Sequence, residues 1–414
     1  MAVLTQSKVC VVIGASHAGT NLAFALRKEG WEGAVILFDA DKEFPYHRPP
    51  LSKTYLTSEE ITERSLLFPK ERYIDEDIVL KLGIEVKHIN RKGRFITLDD
   101  GSIQSYDTLV IATGARPFIP LLKGMDVAQN VFPMRTAEDA SNIRKAVNSS
   151  KQKRVVVIGG GYIGLETAAS LSKLGAKIVV LEKEDRVLPR VTARVMSDFF
   201  TELHQSNGIA ILTNKNITSV KQNDGYNTVI CDDGSEYKTD VIVLGVGIQV
   251  NTELAKDAGL AIENGIQVDE TGKTNDKFIY SVGDCTNHFN PHYKRYVRLE
   301  SVQNALDQAK TAAKAICGQD NVVYDSIPWF WSDQFDVKLQ IVGLSSGYDD
   351  VVIRREGGKS FSVWYFKEDE LLAVDAVNFA KAYILGTNFI VSRQRIDKSK
   401  IVDINLPFKP NSFN

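Results

Sequence analysis

The chain has 414 residues, more than one hydrophobic core usually organises, so two or three domains are expected. Its 50 basic and 52 acidic side chains leave a formal charge of −2, which removes any global electrostatic reason to bind nucleic acid or an anionic membrane. No basic and apolar leader pattern follows Met1 and no apolar stretch reaches transmembrane length, so the expected location is cytoplasmic. In chain order, VCVVIGASHAGTNLAFALRKEG (Val9 to Gly30) reads as strand, glycine turn and helix, and VILFD (Val35 to Asp39) as a second strand closed by a carboxylate. PYHRPPLSK (Pro45 to Lys53) follows, its prolines stiffening the backbone ahead of a helix that holds Lys53 in place. LVIATGARP (Leu109 to Pro117) is a buried strand ending at glycine. RVVVIGGGYIGLETAASLSKLG (Arg154 to Gly175) and IVVLE (Ile178 to Glu182) repeat the first pattern, and VIVLGVG (Val241 to Gly247) repeats the strand ending at glycine. IYSVGDC (Ile279 to Cys285) presents Asp284 at a strand end, and Arg298 to Ile316 has helical periodicity, with Val302, Ala305, Ala309 and Ala312 on one face. From about Ser326 alternating runs such as FSVWYF and LLAVDAVN indicate an antiparallel sheet in a C-terminal α+β domain.

The two glycine turns share more than composition. From the last glycine of each turn to the glycine ending its helix the spacing is the same (19 to 30, 164 to 175), and the acidic residue follows that last turn glycine at 20 and 18 positions. Such a unit brings a strand to a tight turn where the backbone approaches a pyrophosphate, offers the free N–H groups of a helix N-terminus, and ends a second strand with a carboxylate for a ribose hydroxyl. Two dinucleotides on one chain are therefore expected, with Gly14, Ser16 and Gly19 in one turn and Gly159, Gly161, Tyr162, Ile163 and Gly164 in the other. Ser16 replaces the usual middle glycine, and Asp39-Ala40-Asp41 leaves open which aspartate meets the ribose. Glu182 closes the second unit; Arg186 and Arg190 are candidate phosphate clamps, and Gly247 ends the neighbouring strand. The fold class is α/β, with two Rossmann-like domains and an α+β module. The expected division is a discontinuous domain at 1–116 and 245–325, an inserted one at 117–244 and the C-terminal one at 326–414. The four cysteines are dispersed, without metal-type or redox-type spacing.

Taken together, the PPLSK, ATGARP, GGGYIGLE, YSVGDC, RLESVQNA and PWFWSDQ segments closely resemble the NADH-dependent ferredoxin reductases of oxygenase systems, the putidaredoxin-reductase-like flavoproteins. The resemblance runs over essentially the whole chain. It implies FAD, held without a covalent link, on the first unit, NADH on the second, and a C-terminal domain that helps form the partner surface. It pairs Lys53 with Glu166, beside Gly164, as an ion pair at the flavin N5. Its flavin contacts fall on Ala18, Val86, Arg116, Arg135, Asp284 and Val302, with Arg48, Ala112, Thr113, Gly114 and Ser301 in the same motifs and Trp331 as the flavin-side aromatic. The family's acidic ribose ligand falls on Ala40, so Asp39 or Asp41 must substitute.

The activity implied is hydride transfer from NADH to FAD, then single-electron release to a [2Fe–2S] ferredoxin, or a rubredoxin, in a transient complex. An acidic partner of that kind makes Lys310, Lys314 and Lys338 candidates for its docking face. The rival on the same scaffold is direct reduction of a small radical or quinone, as in monodehydroascorbate reductases. A flavoprotein of the apoptosis-inducing-factor type calls for basic and targeting segments not seen here, and a disulfide reductase needs a cysteine pair that the stretch from Asp39 to Lys53 lacks.

Overall fold

The computed structural model describes residues 8–58 and 65–413. They form two compact units, one from residues 8–47, 65–116 and 249–328, the other from 48–58, 117–248 and 329–413. The second unit gathers the inserted segment with the C-terminal residues and with residues 48–58.

The first unit is built on a five-stranded sheet in the order Ile279–Ser281, Thr108–Ile111, Val9–Ile13, Ala34–Asp39, Ile78–Leu82, every pair parallel. Its central strands read as near-continuous apolar runs because a parallel sheet is covered on both faces. One cover is the His17–Lys28 helix, packed against Val302–Ile316. Ala305, Ala309, Ala312 and Ala313 of the latter share a buried cluster with Leu22 and Leu26, and these small side chains let the two helices approach closely. The other face carries Val11, Ile13, Leu109 and Ile279 in a second cluster.

The second unit repeats the design. Its five parallel strands run Ala210–Leu212, Lys177–Leu181, Arg154–Ile158, Val241–Leu244, Val131–Pro133. In each unit the strand preceding the glycine turn is central and the strand ending in the acidic residue lies beside it, the order that places a crevice at the strands' carboxyl ends. The second unit also holds a five-stranded antiparallel sheet, Trp329–Gln334, Val337–Gly343, Glu370–Val377, Ser360–Lys367, Asp350–Gly357, backed by the Ala380–Ser392 helix. The mixed α/β architecture with a C-terminal antiparallel module is the one expected. No helix among the described residues is long and apolar enough to cross a membrane.

Candidate functional site

The first glycine turn is shaped by its own backbone. Gly14 sits at φ +103, a conformation that excludes side chains, and its N–H donates to the Phe38 carbonyl at 2.7 Å. A Cβ at Gly19 would fall on the Gly14 carbonyl oxygen, so only glycine lets the helix start this close to the strand. The Asp39 carboxylate closes the turn: Oδ2 accepts from the Ala15 N–H at 2.6 Å and Oδ1 from the Asp41 N–H at 2.9 Å. Asp41 turns away, accepting instead from the Tyr46 hydroxyl at 3.2 Å and the Glu43 N–H at 3.1 Å. Ser16 stands at the N-cap of the following helix without a side-chain cap bond, in contrast to Thr136 and Ser301, which cap theirs.

Around this turn lie the other candidates of the first unit. Ala112 follows the Thr108–Ile111 strand, its N–H on the Ile13 carbonyl, and Thr113 and Gly114 are tied to Asn251 through the Thr113 hydroxyl and the Gly114 carbonyl. Gly283, one residue before Asp284, donates its N–H to Gln308 at 2.7 Å, and Gln308 in turn contacts His288 Nδ1 at 3.1 Å. That buried amide orients the Asp284 segment from behind, a role no motif announced. Arg116 pairs with Glu253 and Asn251 at 2.5 and 2.6 Å; Ser301 spends its hydroxyl on the Asn304 N–H, just before Val302 opens the helix; Val86 is a buried core residue.

The second turn repeats the construction atom for atom. Gly159 has φ +104 and donates to the Leu181 carbonyl at 2.8 Å. Glu182 Oε2 accepts from the Gly160 N–H at 2.6 Å and Oε1 from the Glu184 N–H at 2.9 Å, as Asp39 does. A Cβ at Gly164 would fall on the Gly159 carbonyl oxygen. Gly161 caps the Tyr162–Ser172 helix with no side chain at all, Ile163 is 45% exposed, and Gly247 opens on free space at φ +103. Arg190 is exposed. Arg186 is no solvated clamp: its guanidinium donates to the Thr192 and Pro189 carbonyls and to Ser197 at 2.6–3.0 Å, stapling the loop from within.

Lys53 and Glu166 meet within the second unit. Lys53 Nζ lies 2.8 Å from Glu166 Oε2, the carboxylate 3% and the ammonium side chain 19% exposed. Ser52 donates to the same oxygen at 2.6 Å and Ser332 to Oε1 at 2.6 Å. A buried ion pair offsets its desolvation only when the remaining lone pairs are satisfied, and the two serines do this. Neither was singled out by sequence reasoning, although each stands inside a quoted motif, PPLSK or PWFWSDQ. Around the pair, Arg48 donates to the Arg135 carbonyl at 2.9 Å, Phe330 packs on Tyr162 at 4.9 Å between centroids, and Trp331 stands 5.5 Å from Trp329.

A second buried carboxyl lies in the same unit. Asp375 Oδ2 accepts from Tyr365 at 2.5 Å and from Thr192 at 2.6 Å, and burial holds its proton up to about 6 against those two bonds. The signal was an aspartate inside the apolar run LLAVDAVN. Because the folded value lies above the ordinary 3.8, the favourable contribution is fully present below pH ~4 and is lost as pH rises through about 6. That gap corresponds to about 3 kcal/mol. Asp375→Asn is expected to gain about this much relative to the wild-type chain between pH 4 and pH 7.5, read as the difference in thermal unfolding; parallel pH profiles would refute it. All four cysteines are free and their thiols are pushed up, chiefly by burial, Cys10 to about 12, so none supplies a thiolate at neutral pH.

Known proteins are similar to this chain in sequence and fold. Residues 8–309 match the pyridine nucleotide-disulphide oxidoreductase family and residues 329–411 the reductase C-terminal family. Putidaredoxin reductase of Pseudomonas putida is 39% identical over 406 residues, 96% of this chain and 95% of its own length. The crystal structure of a covalent putidaredoxin reductase–putidaredoxin complex superposes with a TM-score of 0.92 at 38% identity, covering 97% of each chain. A ferredoxin reductase for the CYP199A2 system of Rhodopseudomonas palustris gives a TM-score of 0.93 at 34% identity, covering 98% of this chain and 100% of that one. The chain belongs to the pyridine nucleotide-disulphide oxidoreductases, within their putidaredoxin-reductase-like ferredoxin reductases.

Proposed function

We propose that this enzyme oxidises NADH through a non-covalently bound FAD and hands the electrons singly to a small [2Fe–2S] ferredoxin that feeds an oxygenase, a rubredoxin being the other candidate acceptor. The encounter is transient and the enzyme cytoplasmic. The observation that carries this reading is the duplicated nucleotide cradle, two turns of identical bonding on one chain, together with a buried Lys53–Glu166 pair inside the second unit and four free, unpaired thiols. Residues 1–116 and 245–325 are read as the FAD-binding domain, 117–244 as the NAD-binding domain and 326–414 as the C-terminal module.

Both cradles suit a dinucleotide. Each offers an uncapped helix N-terminus to a pyrophosphate across a glycine too crowded for a Cβ, and a carboxylate beside the turn. Bound there, FAD supplies hydride acceptance and one-electron release. The protein's own residues bind and orient. The family resemblance assigns Lys53 to the flavin N5, and Glu166, held by Ser52 and Ser332, fixes the direction of that amine. The deciding experiment is steady-state NADH oxidation with a panel of ferredoxins, rubredoxins, quinones and small radicals. Turnover with an iron–sulfur protein at least tenfold faster than with any small acceptor is expected; the reverse order overturns the assignment.

Coenzyme choice follows from Glu182. A carboxylate at that strand end accepts from a 2′-hydroxyl and repels a 2′-phosphate. NADH is expected to exceed NADPH in kcat/KM by at least tenfold, about 1.4 kcal/mol. Equal values for the two coenzymes would defeat this, and Glu182→Ala should narrow the gap.

A further inference from the structure

The loop that follows Glu182 is tied at both ends. Toward the glycine turn, the Leu188 N–H donates to the Gly160 carbonyl at 3.0 Å, with Leu188 itself buried and at φ +54. A Cβ at Gly160 would meet Val187 at 2.9 Å, so the loop lies directly on the turn. Toward the C-terminal sheet, the Thr192 hydroxyl oxygen lies 2.7 Å from that of Tyr365 and donates to Asp375 at 2.6 Å, and the Ala193 N–H donates to the Tyr365 hydroxyl at 3.1 Å. Thr192, Ala193, Tyr365 and Asp375 are all at most 4% exposed. Arg186 makes the span between the two ties stiff, bonding the Pro189 and Thr192 carbonyls.

The same sheet also grips the far end of the following Arg194–Ser206 helix, where His204 Nε2 and Gln334 Oε1 are 2.8 Å apart. That helix carries no side-chain cap at its N-terminus; the Tyr365 hydroxyl takes the N–H of its N-cap residue instead. On the other side of the cluster, the Tyr162 hydroxyl and Asp375 Oδ1 are buried without hydrogen-bond partners among the described residues, and Tyr162 belongs to the glycine turn itself. Strands of the C-terminal sheet therefore hold the turn from two directions, through the loop and through the ring of Tyr162 against Phe330.

We propose that Tyr365 and Asp375 are positioning residues for the nicotinamide-nucleotide site: through Thr192 and Leu188 they hold the loop and the glycine turn in the geometry that binds NADH. The C-terminal module thus sets coenzyme affinity without touching the coenzyme. The inference rests on the reading of Arg154 to Ala193 as the NADH site. Because the network bonds the loop beside the glycine turn and no reacting atom, its loss loosens binding more than it slows the chemistry of the bound pair.

The test uses the FAD-loaded enzyme and three variants, Tyr365→Phe, Thr192→Val and Thr192→Ser. The first two remove a hydroxyl while keeping volume; the third keeps it. KM for NADH and the Kd of NAD+ by calorimetry are expected to rise about fivefold together in Tyr365→Phe and Thr192→Val, with kcat at saturating NADH within twofold of wild type and Thr192→Ser close to wild type. Unchanged Kd in the two hydroxyl-deleting variants overturns the positioning role. So does a joint collapse of kcat and thermal stability at unchanged Kd, which marks a merely structural bond. If Tyr365→Phe does not fold, Thr192→Val decides alone. Absence of saturable NAD+ binding by the wild-type enzyme instead refutes the underlying reading of the site.

Discussion

Gly164→Ala is expected to lower kcat/KM for NADH at least a hundredfold while the protein stays yellow. The added methyl has one place to go, onto the Gly159 carbonyl oxygen, with the Val157 side chain next in line at 3.4 Å. Backbone cannot yield as a flexible side chain can, so the helix must back away from the turn, and overpacking of this kind costs about 1–3 kcal/mol in stability. The larger effect is on binding, because a displaced helix N-terminus no longer aims its N–H groups at a pyrophosphate. The mirrored substitution Gly19→Ala meets the Gly14 carbonyl and should instead release the flavin. Absorption spectra and NADH titrations separate the two. Loss of flavin from Gly164→Ala, or retention of both cofactors by both variants, would contradict the assignment of one dinucleotide to each turn.

The largest loss of stability is expected from Arg354→Met. Arg354 is 2% exposed, and its guanidinium donates to four carbonyls of the C-terminal segment, those of Ile401, Asp403, Ile404 and Leu406 at 2.7–3.4 Å, while its Nε pairs with Glu356. It also lies 4.9 Å over the Phe408 ring. Methionine fills much of the space but satisfies none of these oxygens; the bond to the Ile401 carbonyl is buried, and leaving that oxygen without a donor costs about 1–3 kcal/mol, while the other three are part-exposed and open to water. Breaking the buried pair adds to this, so a total of about 3–5 kcal/mol is expected. Arg354→Lys should recover little, since one ammonium cannot span a four-carbonyl fan. Thermal unfolding and limited proteolysis of the 398–413 stretch check the result; a Tm within about two degrees of wild type together with unchanged cleavage would show the clamp to be dispensable.

Much of this protein was legible in its sequence because the Rossmann unit is a local device. Strand, turn, helix and second strand are contiguous, so the glycine spacing and terminal carboxylate carry most of the geometry in about 30 residues. The alanine stripe at Ala305, Ala309 and Ala312 was likewise visible as helical periodicity and proves to be buried against Leu22 and Leu26. Fold class, dinucleotide chemistry and the lack of a redox cysteine pair all follow from patterns of that range.

What the sequence left open depends on residues far apart in the chain. Which of Asp39 and Asp41 meets the ribose was left open by spacing; the fold adds that Asp39 accepts from the Ala15 N–H and Asp41 from the Tyr46 hydroxyl. Arg186, equally readable as a phosphate clamp, is committed to its own loop because the chain folds back over it. Ser52 and Ser332 reach Glu166 across separations of 114 and 166 residues, and Thr192 reaches Asp375 across 183. The sequence by itself determined the two cradles, because backbone conformation and hydrogen bonding there are set by neighbours within one supersecondary unit. The tertiary structure alone decided how the cradles and the Lys53–Glu166 pair are held, because a buried polar group takes whichever partner the packing of distant segments brings within about 3 Å.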